Sequence, residues 1–370
     1  MTEIPEKTDN VMSTGFTKLD FCAADNMLYA FNGTNLYRYS SLTESFDTAF
    51  NGAGTIISET WDPADIAFLS DSNDVFLPTG QSERVVFVDR QQEIATEKSG
   101  LRRNFYSSAS RYRDNQLFAN GVGEEYNNTI YLLNVSLNGT ETEVVKISDK
   151  NSGAIAFDFA DNLYISDFAP IWDGQKLGNV DIYRIARWQL DAFLEDSSFG
   201  IVPELIVNNV VLAGSDSMTI DGDYNIYMSS YVGIAKIVPT DDPNDFEVSA
   251  IDGNIYAPPY GLPPPNVRFC GITSDIKSGT IYYGRSVLNQ YVFEPYVLAQ
   301  IQTIPAVEWS GDLDGDGIID FYDLYLLQQD YLCSGEHLKG DIDDDGFVDF
   351  QDYIIFADQW NDKARWYKGN

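Results

Sequence analysis

The chain has 370 residues, and 57 acidic against 23 basic side chains give it a formal net charge of −34. Acidity on that scale repels nucleic acid and anionic lipid, and no run of 18 apolar residues is present to insert into a membrane. With His337 as the only histidine, everything upstream of it lacks a Ser-His-Asp or Cys-His nucleophile system and a His-ligated zinc.

The length suits one large domain and a small C-terminal module. The negative charge is global, with −11 in residues 309–370 and −23 in the remainder. Three cysteines, Cys22, Cys270 and Cys333, are too few for a disulfide scaffold.

The N-terminal MTEIPEKTDNVMSTG is polar and has no signal-peptide apolar core. A loose motif then recurs along residues 1–300: an apolar strand, a turn with Asp or Asn, and a second strand of Leu-Tyr-Ile type. Its copies begin at Leu19, Ile66, Ala109, Ile155, Met218 and Phe269. A third strand often follows, as in residues 35–40, 84–89, 129–134, 180–185 and 233–238. The strands are short, aromatic and β-branched, and Asp/Asn/Gly turns separate them, which is hairpin chemistry. A period near 50 residues is the span of a four-stranded blade.

The expected fold is therefore all-β: a six-bladed β-propeller over residues 1–300, followed by a small α-helical calcium-binding domain. Seven blades or a β-sandwich array would also accommodate the strands. In general form the repeat resembles gluconolactonase-like and NHL-like propellers. That resemblance implies a divalent ion near the central channel, for which Asp25, Asp161, Asp221, Asp223 and Asp275 with Asn26 and Asn162 are the candidates. All of them also sit where turn geometry alone favours Asp and Asn, and no catalytic residue is assigned.

Cys22 and Cys270 occupy the same register at opposite ends of the repeat array, where a closed ring would bring them together. They are either a bridge across the closure or two buried thiols. Asn32, Asn127, Asn134 and Asn138 are in Asn-x-Ser/Thr sequons and permit glycan attachment. Within the array, helical spacing is confined to residues 184–196, and a short apolar linker, 301–308, leads out of it.

Two twelve-residue stretches, beginning at Asp312 and Asp341, repeat one acidic pattern. Carboxylates fall at loop positions 1, 3, 5, 9 and 12: Asp312, Asp314, Asp316, Asp320 and Asp323, then Asp341, Asp343, Asp345, Asp349 and Asp352. Ca²⁺ takes six to eight hard oxygens, and such a loop supplies them from alternate side chains plus the carbonyl of position 7, here Ile318 and Phe347. Gly317 and Gly346 at position 6 allow the sharp turn. Ile319 and Val348 at position 8 are expected to pair the two loops. Apolar-periodic helices follow over residues 324–332 and 353–360.

A calcium loop followed by a helix, twice, resembles the dockerin module of secreted bacterial proteins over residues 309–361, and 309–370 is taken as the domain. The resemblance implies two calcium ions, an extracellular chain and docking onto a cohesin. Phe321-Tyr322 and Phe350-Gln351 replace the small hydroxylated dipeptide of the dockerin recognition site. The position-10 phenylalanines, Phe321 and Phe350, read first as core and second as contact residues. Together with the short linker, these features predict a secreted, non-enzymatic assembly protein that joins neighbouring copies or a cohesin-like partner into a filament. The alternative is a metal-dependent lactonase or carbohydrate-active hydrolase carried by a dockerin.

Overall fold

The computed structural model describes residues 7–12, 18–22, 26–32, 35–40, 45–50, 65–69, 75–78, 85–89, 94–98, 104–111, 114, 116–122, 128–134, 140–170, 178–230, 232–240, 242–256, 267–276, 278–289, 292–305, 311–314, 318–335, 338–343 and 345–362. Within them the strands form a β-propeller of antiparallel four-stranded sheets, six in number. Each copy of the sequence motif supplies the inner hairpin of one sheet.

The first sheet is β2 (Lys18–Cys22), β3 (Met27–Phe31), β4 (Leu36–Ser40) and β5 (Ser45–Phe50). The second is β6 (Ala67–Phe68), β7 (Val75–Pro78), β8 (Val85–Asp89) and β9 (Ile94–Lys98). The third is β10 (Asn104–Ser110), β11 (Leu117–Val122), β12 (Asn128–Asn134) and β13 (Thr140–Ser148). The fourth is β14 (Asn151–Phe157), β15 (Leu163–Pro170), β16 (Gly178–Ile185) and β17 (Glu204–Leu212). The fifth is β18 (Ser217–Ile220), β19 (Ile226–Ser230), β20 (Gly233–Val238) and β21 (Glu247–Gly253).

The last sheet contains β22 (Val267–Asp275), β23 (Thr280–Asn289) and β24 (Val292–Gln302), and its outer strand is the N-terminal β1 (Lys7–Met12). Lys7 to Met12 pair antiparallel with Ile301 to Tyr296. This strand from the opposite end of the chain covers an edge that would otherwise present open backbone groups.

Apolar side chains of neighbouring sheets interlock between the blades. Tyr29, Phe31 and Leu36 pack with Phe68, Val75 and Val86, and Phe118 meets Phe157 edge-on at 5.6 Å. Polar bonds join the inner strands around the axis. Thr273 donates to Asp20 (3.0 Å), Ser107 donates to Asp65 (2.7 Å), the Ile155 amide donates to Ser107 (3.1 Å), and Ser217 donates to the Ile272 carbonyl (3.0 Å). Cys22 is buried in the first inner strand. The side chain of Cys270 lies outside the described residues, as do Asn127 and Asn138.

Three helices occur among the described residues: α1 (Arg187–Glu195), α2 (Phe321–Asp330) and α3 (Phe350–Asp358). The latter two start three residues before the predicted spans. Asp320 and Asp349 act as N-caps, and each forms a capping box with the aspartate at N3. Leu313, Ile319, Leu327, Val348 and Phe356 make the small core between the two helices.

β24 ends at Gln302, inside the predicted linker, and the next residues strap across two propeller turns. Thr303 N donates to the Gly279 carbonyl (2.8 Å), and Gly222 N donates to the Ile304 carbonyl (2.9 Å). A Cβ on Gly222 would collide with the Pro305 carbonyl. Gly222→Ala is therefore expected to cost about 1–3 kcal/mol and to speed protease cleavage after residue 302. Unfolding curves and limited proteolysis identical to the parent's would rule the strap out.

Candidate metal loops and central channel

In the first loop, Asp312, Asp314 and Asp323 each bring a carboxylate oxygen within 4.8 Å of the others, and in the second Asp341, Asp343 and Asp345 do the same. Asp312 and Asp323 are buried, whereas Asp345 is exposed. Asp316 and His337 lie outside the described residues.

The position-12 aspartates organise both loops in the same way. Asp323 accepts backbone N–H bonds from Leu313 (2.7 Å), Asp314 (3.2 Å) and Asp320 (2.8 Å). Asp352 accepts them from Ile342 (2.6 Å), Asp343 (3.2 Å) and Asp349 (2.7 Å). A carboxylate at this position thus ties the start of the loop to the start of its helix. Burial, followed by the nearby Asp314 charge, pushes Asp323 up to about 7 against the pull of its N–H partners.

Asp320 and Asp349, at position 9, accept from the amides of Tyr322 (2.7 Å) and Gln351 (2.6 Å). Ile318 is buried and Phe347 exposed at position 7. Asp341 accepts from the amides of Asp345 (3.1 Å) and Gly346 (2.9 Å), and Gly346 has φ of +87°, the left-handed turn expected of position 6.

The position-8 residues do not join loop to loop. Ile319 exchanges backbone bonds with Asn361 and Asp362, and Val348 with Leu332 and Cys333. Each loop therefore pairs with the segment leaving the other loop's helix. Both side chains point into the shared core, which explains why apolar residues occupy position 8.

The core reading of the position-10 phenylalanines is overturned. Phe321 is 77% exposed and Phe350 62%, with Tyr322, Tyr325, Tyr353 and Ile354 exposed on the same two helices. Both rings sit at the first helical position, directly after the capping Asp320 and Asp349. Leu327 and Phe356 fill the core instead. Phe321 touches Trp360 edge-on at 5.0 Å, Tyr322 lies over Tyr325 at 6.0 Å, and Phe350 over Tyr353 at 6.0 Å.

The module meets the propeller at Asp312, whose charge lies close enough to Tyr224 to reinforce the effect of burial in raising the phenol's pKa. Lys339 also reaches Asp191 of α1 at 3.7 Å. Both ends of that pair are partly solvated, so it contributes little to stability.

On the propeller, the candidate turn residues do not converge on the channel. Asp221 clamps its own turn by accepting from the amides of Asp223 (3.0 Å) and Asn225 (2.9 Å), and Asp158 does the same for Ala160 (3.0 Å) and Asn162 (2.9 Å). Asn26, Asp161 and Tyr224 take positive φ at equivalent corners, and Asn162 caps the approach to α1 by accepting from Arg187 N (2.9 Å). Asp275 accepts from Ser278 N (3.3 Å), again within its turn. Asp25 lies outside the described residues.

Among the described residues the carboxyl groups that do face the channel are Asp20 and Asp65, which sequence reasoning missed. With Ser108, Thr219, Thr273 and Ser274 they line a cavity of ≈ 70 Å³ walled by the inner strands. The available signal was a carboxylate interrupting an apolar inner strand, in Leu19-Asp20-Phe21-Cys22. Burial, followed by the charge of Asp65, pushes Asp20 up to about 7. Burial also raises Asp65, against Lys18 and the Ser108 amide.

No family model matches the chain, and no curated protein does. Among solved structures, a luciferin-regenerating enzyme is similar over 80% of this chain and 96% of its own, with 10% identity and a TM-score of 0.50. A protein designated a gluconolactonase is similar over 81% and 93%, with 11% identity and a TM-score of 0.49. A streptogramin B lyase is similar over 80% and 87%, with 12% identity and a TM-score of 0.44. The likeness to the luciferin-regenerating enzyme is one of fold alone. Function on such a scaffold belongs to the site, not the fold.

Proposed function

We propose that the chain is an extracellular, non-enzymatic assembly protein whose dockerin-like C-terminal module, folded around two calcium ions, joins the propeller to neighbouring copies or to a cohesin-like partner in a filament. The observation that carries this reading is the exposure of aromatic side chains at the starts of α2 and α3: Phe321, Tyr322, Phe350 and Tyr353. A small domain that leaves such rings in water, while burying little else, has the composition of an interface core.

The donor set suits calcium. Asp312, Asp314, Asp316, Asp320 and Asp323 with the Ile318 carbonyl, and Asp341, Asp343, Asp345, Asp349 and Asp352 with the Phe347 carbonyl, offer hard oxygens alone. Clustered carboxylates and a buried Asp323 held near neutrality gain from a divalent cation. Calcium would supply charge neutralisation, while Asp323 and Asp352 hold each loop to its helix. Sites of this kind fill where calcium is plentiful, which supports an extracellular setting. The strap at Thr303 and Ile304 supports a fixed joint over a roaming tether.

Sedimentation of the full chain tests the proposal. Large particles are expected in excess calcium and single chains in EDTA. Aromatic hot spots contribute about 2–4 kcal/mol each, so the Phe321→Ala/Phe350→Ala variant should weaken assembly more than about a hundredfold with the module still folded. A chain that stays single in calcium and also ignores an added cohesin domain overturns the reading.

A second reading is a metal-dependent propeller enzyme, a lactonase or a carbohydrate-active hydrolase, carried by the same module. One observation favours it: the channel is polar and is lined by two carboxyl groups, Asp65 buried and Asp20 half-buried.

A further inference from the structure

We propose that the central channel binds a small organic ammonium group, with Asp20 and Asp65 as its counter-ions and Ser108 as a further acceptor. This inference requires neither docking by the C-terminal module nor a metal in the channel.

Three observations support it. First, Asp20 and Asp65, from adjacent blades, line one cavity with Leu19, Ile66, Met218 and Ile272, so acidic acceptors stand beside apolar wall. Second, among the described residues one cation offsets the charge of these two carboxyl groups. Among the described residues the other charged groups here are Lys18 on β2, which acts on Asp65, and Asp216 before β18, and Lys18 is bonded to Asp216 at 3.1 Å. Third, Ser108 lines the same cavity at 5% exposure, and its Oγ has no hydrogen-bond partner among the described residues.

The chemistry selects among ligands. An anion would meet two carboxyl groups. A neutral polyol would leave their charge uncompensated at the full cost of burial. A bare divalent ion needs six or more oxygens, yet Asp20 Oδ1 already accepts from Phe21 N (2.9 Å) and Thr273 Oγ1 (3.0 Å), and Asp65 Oδ2 from Ser107 Oγ (2.7 Å) and Ser108 N (2.8 Å). An ammonium group carries the charge and up to three donors in a small volume, and its carbon substituent can lie against Ile66 and Met218.

Binding is also linked to protons. Asp20, held near 7, must lose its proton to act as a counter-ion. Its raised value means that the native state retains a proton which the unfolded chain releases near 4. Stability of the free protein therefore falls as pH rises from about 4 to about 7, and an ammonium ligand offsets that fall.

Calorimetric titration of the calcium-saturated full chain with methylammonium chloride, at moderate salt to screen the acidic surface, tests the idea. Binding is expected at pH 8 and at least tenfold weaker at pH 5.5, where Asp20 is protonated. Asp20→Asn, which keeps the acceptor toward Thr273, should lose at least tenfold in affinity at pH 8 and lose the part of the pH dependence that Asp20 supplies, Asp65 keeping the rest, while its melting temperature at pH 8 stays level or rises. Ser108→Ala should weaken binding less, about two- to tenfold. Undiminished binding in Asp20→Asn places the amine elsewhere, and glycerol or Mg²⁺ binding at this site in place of methylammonium refutes the assignment; either result overturns the proposal. Each readout is independent of particle size, so its failure is separable from failure of the docking reading.

Discussion

Asp323→Ala is expected to abolish the cooperative unfolding of the C-terminal module and leave the propeller's transition in place. Asp323 accepts three backbone N–H bonds that join loop start, helix start and loop end. Such bonds contribute about 0.5–3 kcal/mol each, more as the carboxyl ionises, and are not additive, so the loss is about 3–5 kcal/mol before metal is considered. If the loop holds calcium at a thousand times its Kd, losing the ion removes about 4 kcal/mol more. A module whose core rests on Leu313, Ile319, Leu327, Val348 and Phe356 cannot absorb that. Calorimetry in calcium should record the parent module's transition and none for the variant, with Asp352→Ala behaving alike. Asp323→Asn, which retains one acceptor oxygen, should be intermediate. A parental thermogram for Asp323→Ala would show that the three bonds contribute little.

Arg111→Leu is expected to destabilise the propeller by about 3–5 kcal/mol, the usual loss when one partner of a buried ionic cluster is removed. Arg111 is 2% exposed and bonds Asp191, with Asp114 at 3.5 Å and Asp161 at 3.8 Å. Its removal leaves Asp161 buried beside other acids, and Asp191 with Arg187 and Lys339, each at 3.7 Å, among the described residues. For a domain of this size the melting temperature should drop by roughly 10 °C. The pH profile supplies a second check. Burial works to raise the Asp191 pKa, but Arg111 and the other cations outweigh it and the group titrates below its ordinary value. A depressed value stabilises the fold above the unfolded pKa near 4 and is lost as pH falls through the native value. That loss at acid pH should be smaller in Arg111→Leu. A variant within about 1 kcal/mol of the parent would mean that solvent reaches the cluster.

The inner hairpins were legible in sequence because period-2 apolar strands and Asp/Asn turns are local features, and the Asp158 and Asp221 clamps close within five residues. The acidic loops were legible for the same reason: their carboxylates recur within twelve residues of chain, in two copies. The ring-closing strand was not. Lys7–Met12 has no strand pattern of its own and becomes β1 because the edge of β24 needs a partner.

The sequence by itself therefore determined the repeat, the turns and the acidic loops, whose physical causes lie within a few residues of chain. The tertiary structure alone decided which carboxylates face one another. Asp20 and Asp65 are 45 positions apart and become neighbours in one cavity only when adjacent blades pack. It also decided that Phe321 and Phe350 face water, because Leu327 and Phe356 fill the core between the two helices. Local chemistry chooses an element, whereas burial and convergence depend on what the rest of the chain brings against it.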